Sequence, residues 1–253
     1  MMKSRVVAMS VMFGAVAGIA RPALSDVTEG TLPSAYQLLD YIVSHGDEWI
    51  DTGICPSKTT ACTVDVMPLV AAAQTRFFIS RQCKYESMSG HLYFEVYANG
   101  SMKHAAGLTD GPEGKWKANS QDSTVRVGSR FTIGIDASNK KLTVNGKLTT
   151  LSPSSVDCLG QSNLLLMAHG FKESNPQPGF VGRLYGAKVW ESGVLVRDLV
   201  PCRRRSDGAV GLYDLADHSS EVSYVPFYPN AGDGCLDAGL PAAPLSLTVS
   251  GET

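Results

Sequence analysis

The sequence predicts an all-β protein built from two antiparallel sheets. Short runs rich in β-branched and aromatic residues recur about every ten residues and are separated by turn residues. No stretch keeps apolar residues at helical spacing for three turns, so we expect almost no helix beyond the N-terminal segment. The clearest run is residues 182–214, where alternation from Leu184 breaks at a glycine-containing turn and resumes at Leu195. This pattern predicts a β-hairpin followed by a third strand.

The N-terminal segment has the pattern of an export signal. Lys3 and Arg5 precede an apolar run over residues 6–20, and small residues follow it. This order predicts a signal peptide over residues 1–25. A membrane anchor is the alternative, but the run contains Ser10 and is shorter than the roughly 20 residues that a spanning helix needs. We therefore expect a secreted, periplasmic or cell-surface protein.

The rest of the chain predicts one domain. Residues 26–238 suit a single large sandwich, and residues 239–253 are expected to form a flexible C-terminal tail. A formal net charge of −2 gives no footprint for nucleic acid, and no later segment is apolar for long enough to span a membrane. The one basic run, Arg203 to Arg205, stands beside Asp207 and is typical of a solvated turn.

Individual strands and turns can be placed along the chain. Asn145-Gly146 and Asn99-Gly100 each separate two alternating runs, and this dipeptide favours the type I′ turn of a tight hairpin. The predicted strands are 36–43, 49–54, 62–67, 76–80, 92–97, 124–127, 131–136, 142–144, 164–168, 180–190, 194–200 and 210–213.

The six cysteines all follow the predicted signal peptide, and an even number in an exported protein predicts up to three disulfides. Cys55 and Cys62 could close a short connection, and Cys202 and Cys235 could tie down the last strands. No C-x-x-C pair occurs, so structural thiols or disulfides are favoured over a zinc site. The disulfide candidates are Cys55, Cys62, Cys83, Cys158, Cys202 and Cys235.

Several segments together resemble one family. The opening segments are Leu32-Pro33-Ser34-Ala35-Tyr36, Leu39-Asp40-Tyr41-Ile42 and Trp49-Ile50-Asp51-Thr52-Gly53, and the closing ones are residues 196–202, 211–214 and 230–232. In this order they resemble bacterial secreted domains of the concanavalin A-like, or laminin-G-like, jelly-roll family. The resemblance implies a two-sheet antiparallel jelly roll, with Trp49 and Trp190 in the core. The chain departs from the pattern in a longer segment over residues 216–229 and in Cys235.

The resemblance does not fix an activity, because such domains include sugar-binding modules, adhesion modules and hydrolase scaffolds. The hydrolases carry an E-x-D-x-x-E run on one strand, which is absent here, and the acidic cluster Asp47 to Asp51 has another order and spacing. No G-x-S-x-G occurs either. The five histidines, His45, His91, His104, His169 and His218, match no catalytic or metal motif and are expected in exposed loops. We predict no catalytic residue.

A sugar site needs aromatic faces with polar groups nearby. Trp116 is the best candidate, because it lies in a polar loop rather than in an apolar strand. Tyr93 and Tyr97 share one face of their predicted strand, although either face could belong to the core. His169 and Asn175, in a later loop, are weaker candidates.

These observations favour a non-catalytic binding module whose partner is a glycan or a cell-surface protein. The alternatives are a structural or protein-binding jelly roll without a sugar site and a divergent polysaccharide hydrolase. Calcium often accompanies the fold, and Asp110, Asp122 and Asp233 are loop acids that could contribute, but they form no ordered ligand pattern. We therefore predict no cofactor and no metal site.

Overall fold

The computed structural model describes residues 31–70, 75–81, 91–98, 102–109, 119–120, 127–150, 163–169, 177–216, 218–219 and 223–240. The regular structure in these residues is β-strand, with no α-helix, and the all-β prediction is confirmed. A helix capable of crossing a membrane is accordingly not found in these ranges. The predicted signal peptide, residues 124–126 of the predicted strand 124–127 and most of the predicted tail lie outside the described residues, while Val127 lies in a turn.

Nineteen strands occur in the described part of the chain. They are β1 (Tyr36–Leu38), β2 (Ile42–His45), β3 (Ile50–Asp51), β4 (Thr60–Pro68), β5 (Thr75–Arg81), β6 (His91–Ala98), β7 (Met102–Thr109), β8 (Asn119–Ser120), β9 (Phe131–Asp136), β10 (Lys141–Val144), β11 (Lys147–Thr150), β12 (Leu165–Leu166), β13 (Ala168–His169), β14 (Gln177–Pro178), β15 (Val181–Glu191), β16 (Val194–Arg204), β17 (Val210–Asp214), β18 (Phe227–Pro229) and β19 (Asp237–Ala238).

Two antiparallel sheets form the body of the domain. The large sheet has the order β11-β10-β9-β4-β15-β16-β17-β18, with β1 added to β16 and with β2 and β19 added beside β15. The small sheet has the order β3-β12-β5-β6-β7-β8, and β13 pairs with β14 separately. The strands that neighbour each other in space are often distant in sequence, as β4 and β15 are, which is typical of a sandwich rather than a simple meander.

The main core lies between the two sheets. Its buried side chains come from alternate positions of the large sheet, such as Val64 and Val66 of β4, and from Ile50 and Leu166 of the small sheet. A second, smaller core lies on the other side of β16, where Val200 and Cys202 pack with Leu38. The large sheet therefore has an inner face that meets the small sheet and an outer face on which the second core is built.

The predicted hairpin turns can be followed at two places. Asn145 and Gly146 have φ values of 47° and 80°, and Ser192 and Gly193 have φ values of 50° and 82°. Positive φ at both central residues is the signature of a type I′ turn, so both tight hairpins are confirmed. β6 and β7 also pair as predicted, with Ala98 opposite Met102, while Asn99-Gly100 lies outside the described residues.

Two local expectations about strand ends were wrong. Residues 36–43 were expected to form one strand, but the chain changes partner between β1, which pairs with β16, and β2, which pairs with β15 and β19. Residues 239 and 240 were expected in the loose tail. Instead, Gly239 N donates to Tyr41 O and Asp40 N donates to Leu240 O, both at 2.9 Å. The end of the described chain is thus held beside its first strands.

The two proposed cysteine pairings are not formed. Cys62 and Cys202 are buried free thiols on strands, and Cys235 is an exposed free thiol, so neither Cys55–Cys62 nor Cys202–Cys235 is a disulfide. The physical reason is that the strands direct Cys62 and Cys202 into the two separate cores. Burial raises the pKa of Cys62 well above its usual value and that of Cys202 to about 12, which keeps both thiols protonated and inert. Cys83 and Cys158 lie outside the described residues.

Candidate functional site

Strand register separates the two faces of the small sheet. Leu166 belongs to the main core and pairs with Phe78, which in turn pairs with Phe94. Residues paired across an antiparallel ladder belong to the same face, so Phe94 is at a core-face position. Alternation along β6 then assigns Tyr93 and Tyr97 to positions on the opposite, outer face.

The outer face of the small sheet gathers many polar residue types. The same register assigns to it Arg76, Ile79 and Arg81 of β5, His91 and Glu95 of β6, Lys103, Ala105, Gly107 and Thr109 of β7, and Asn119 of β8. The core face instead receives Leu92, Phe94 and Val96 from β6. Tyrosines, charged residues and amides are residue types that a sugar-binding surface uses.

Of the other predicted sugar contacts, only His169 lies in the described residues. Trp116 belongs to the connection between β7 and β8 and, with Asn175, lies outside the described residues. His169 is the last residue of β13, at register with Gln177 of β14. Register thus brings Tyr93 and Tyr97 to one face.

A buried polar cluster lies at the edge of the inner face of the large sheet and was not predicted. Its centre is Asp214 at the end of β17, whose side chain is fully buried. Asp214 Oδ1 accepts hydrogen bonds from the backbone N–H of Asp198 at 2.7 Å and of Ala216 at 2.9 Å. The other oxygen, Oδ2, accepts from His218 Nε2 at 3.1 Å and from the hydroxyl of Tyr224 at 2.5 Å.

Aromatic and cationic groups close this cluster. The His218 and Tyr224 rings stack with centroids 3.6 Å apart, and the Tyr224 and Tyr228 hydroxyls are 2.9 Å apart. Arg197 Nε lies 3.7 Å from Asp214 Oδ2 and donates to Thr52 O at 3.0 Å. Burial, followed by the hydrogen bond to Asp214, raises the pKa of Tyr224, so the phenol remains a donor.

The cluster explains the segment over residues 216–229 that departs from the family pattern. Its described residues His218, Tyr224 and Tyr228 return to the sheet edge and satisfy the Asp214 carboxylate or one another. The expectation of an exposed loop histidine was wrong for His218, whose side chain is 8% exposed, because its ring stacks on Tyr224. Each strong donor and acceptor named here has a partner within the fold, which is typical of a structural anchor.

The outer face of the large sheet carries a stack of arginine and tyrosine side chains. Arg130 lies over the Tyr185 ring, with its guanidinium carbon 3.9 Å from the centroid, and Arg183 lies over the Tyr41 ring at 4.3 Å. The two rings are 5.5 Å apart, so the four side chains run as Arg130, Tyr185, Tyr41 and Arg183. At the first end, Arg130 Nε and Nη2 each donate to the buried carboxylate of Asp65 at 2.9 Å.

The acidic cluster Asp47 to Asp51 has internal partners. Glu48 is buried, and its Oε2 accepts hydrogen bonds from His45 N at 2.7 Å, Ser44 Oγ at 2.9 Å and Gly46 N at 3.1 Å. Burial raises the pKa of Glu48, but these hydrogen bonds outweigh it and hold the pKa below its usual value. This carboxylate fixes the loop between β2 and β3.

The two tryptophans that were expected in the core, Trp49 and Trp190, are half-buried. Trp49 packs against Gly232, where an added Cβ would lie 2.8 Å from the indole and 2.1 Å from Asp47 O. Asn230 holds this contact, since its side chain accepts from Trp49 N at 3.1 Å and from Gly232 N at 3.0 Å. Trp190 is half-buried near the end of β15. Neither tryptophan belongs to the core clusters, so that expectation was wrong.

Metal ligands do not gather in the described residues. No group of three or more histidine, cysteine, aspartate or glutamate side chains there could hold an ion. Asp233 is exposed, and Asp110 and Asp122 lie outside the described ranges. Arg204, in the basic run, pairs with Asp207 at 2.6 Å in an exposed turn.

Comparison with known proteins finds likeness in structure but not in sequence. No family model and no curated protein matches the sequence. Among solved structures, the Ruminococcus gnavus IT-sialidase CBM40 bound to alpha2,3 sialyllactose aligns at a TM-score of 0.43 and 15% identity, over 63% of this chain and 91% of that one. A Caenorhabditis elegans galectin aligns at a TM-score of 0.35 and 12% identity, over 62% and 96% of the two chains.

Proposed function

We propose that this protein is an exported, non-catalytic module that binds carbohydrate on the outer face of its small sheet. The observation that carries the proposal is the sorting of β6 by register, with apolar residues on the core face and Tyr93, Glu95 and Tyr97 on the outer face. A sheet face that serves solubility alone has no need of two aromatic residues on one strand, whereas sugar C–H patches pack on aromatic rings.

The neighbouring strands support the same reading. Arg76 and Asn119 lie in the same cross-strand row as Glu95, and Gly107 lies in the row of Tyr93. Such a row offers hydrogen-bond donors and acceptors for hydroxyls, and a glycine leaves room for a ligand to approach the sheet. Trp116, in the connection that precedes β8, is proposed as a third aromatic contact.

Glycan-array screening followed by calorimetry of the best ligand tests the proposal. Tyr93→Ala and Tyr97→Ala should each weaken binding by about tenfold or more, because each removes an aromatic contact of the face. Leu148→Ala is the matched control, since Leu148 is 55% exposed on β11 at the far edge of the large sheet, and it should leave the affinity unchanged.

Two outcomes would contradict the proposal. One is the absence of any glycan signal for a folded protein that co-purifies with a protein partner. The other is turnover of a bound polysaccharide that stops on Glu95→Gln, since that result would make the face a hydrolase site.

A further inference from the structure

Arginines that stand over aromatic rings share one arrangement, with a single exception. In the described residues, four arginines do so, namely Arg130, Arg183, Arg197 and Arg204. Three of them have a carboxylate within 4 Å: Asp65 for Arg130, Asp214 for Arg197 and Asp207 for Arg204. Arg183 has no carboxylate partner among the described residues, so it is the incomplete member of the set.

The difference is sharpest at the Nε–H group. Arg130 Nε donates to Asp65 at 2.9 Å, Arg204 Nε donates to Asp207 at 3.0 Å, and Arg197 Nε donates to a carbonyl at 3.0 Å. Arg183 Nε is buried and has no hydrogen-bond acceptor within the described structure. A covered donor without an acceptor destabilises a protein, so an acceptor brought by a ligand would gain the interaction that the fold lacks.

The surroundings of Arg183 favour an anion. Arg183 is half-buried in the middle of the outer face of the large sheet, opposite Met67 of β4 and Val43 of β2, neither of which carries a negative charge. His45, two residues beyond Val43 on the same face, is exposed. Two acids lie on this face near Arg183 by register, and both have partners: Asp65 of β4 accepts from Arg130, and the carboxylate of Asp237 of β19 is 2.9 Å from His45 Nε2.

We propose that Arg183 is a binding site for the carboxylate of a small organic acid, such as the uronic acid units of polysaccharides. The carboxylate would take the place at Arg183 that Asp65 holds at Arg130, with one oxygen on Nε and the other on a terminal nitrogen. Because Nε is covered, the carboxylate would reach it only with a turn of the guanidinium. The site lies on the other sheet from the proposed glycan face, and its existence does not depend on that proposal.

The test follows the arginine Nε–H signals of the full-length protein by NMR during titration with glucuronate. The Arg183 signal should shift in a saturable way, while the signals of Arg130 and Arg204, which already have carboxylate partners, should stay in place. Glucose, and sodium chloride at matched ionic strength, should leave all three unchanged. A shift of equal size with glucose or salt, or no shift of the Arg183 signal, would overturn the proposal.

Variants separate this site from the rest of the protein. Arg183→Lys keeps the charge but loses the fork of donors, and it should weaken glucuronate binding by about tenfold. Arg204→Gln is the matched control and should bind as the wild type does. Asp237→Asn tests the internal alternative: if it moves the Arg183 signal without ligand as far as glucuronate does, Asp237 is the true partner and the proposal fails. If Arg183→Lys loses glucuronate binding but still binds glycan on the small sheet, the two sites are distinct.

Discussion

Two regions of the large sheet combine the same residue types with opposite results. At the inner edge, Arg197 lies over Tyr224 and the buried Asp214 supplies the negative charge. On the outer face, Arg183 lies over Tyr41, and the described chain supplies no acid. The contrast teaches that an arginine–tyrosine contact alone does not identify a structural anchor or a site. What decides is whether the carboxylate comes from within the fold.

The largest expected effect comes from a substitution in the buried polar cluster around Asp214. Asp214→Asn removes the charge that faces Arg197 and puts an amide where His218 and Tyr224 donate. We expect the free energy of unfolding in urea to fall by about 3–5 kcal/mol, as for other broken buried pairs. Asp207→Asn, in the exposed pair with Arg204, is the control and should change stability far less. Equal losses in the two variants would show that Asp214 is not an anchor.

A paired substitution of the two ends of the tyrosine stack sharpens the comparison. Arg130→Gln removes the guanidinium that donates two hydrogen bonds to the buried Asp65 and should cost about 1–3 kcal/mol in urea unfolding. Arg183→Gln removes a donor that has no acceptor and loses only the ring contact, so it should cost less than about 1 kcal/mol. If Arg183→Gln costs as much as Arg130→Gln, then Arg183 has a partner in the free protein.

The smallest expected effect is a loss of stability at acidic pH. A region held together by its own carboxylates becomes less stable when those carboxylates are protonated. Glu48 has a pKa lower in the fold than its usual 4.5. Its contribution is therefore complete above pH 4.5 and is lost as the pH falls through the lower folded pKa. Between pH 6 and pH 3, the melting temperature should fall less steeply for Glu48→Gln than for the wild type. Asp47→Asn, at an exposed neighbour, should follow the wild-type curve; a Glu48→Gln curve parallel to the wild type would contradict the expectation.

Local pattern was enough to predict most of the strands. Alternation and turn residues located β9, β10 and the β15–β16 hairpin, because a period of two and an Asn-Gly or Ser-Gly turn are properties of a few adjacent residues. The same reasoning joined β1 and β2 into one strand. The break between them reflects a change of partner strand, which local pattern does not encode.

The polar clusters could not be predicted, because their members meet only through register. Arg197 and Asp214 are on neighbouring strands, and Thr52, which accepts from Arg197, comes from the far end of the chain. One sequence feature did point to this cluster: the segment over residues 216–229 is longer than in the family pattern. Its length does not show which residues it contacts. For the small sheet, sequence grouped Tyr93 with Tyr97, and pairing through Phe78 to Leu166 was needed to choose between the two faces.

The last described residues lie beside the first strands, and this arrangement favours circular permutation of the domain. Asp237 is at register with Val43, and Leu240 O accepts from Asp40 N at 2.9 Å, so the segments 237–240 and 40–43 run side by side. A short linker from this last segment back to the first strand would span little distance, and new ends could be opened at the exposed Ser192-Gly193 turn. Circular permutation at that turn would place both termini beyond the end of β15, whereas Arg183 lies near its start.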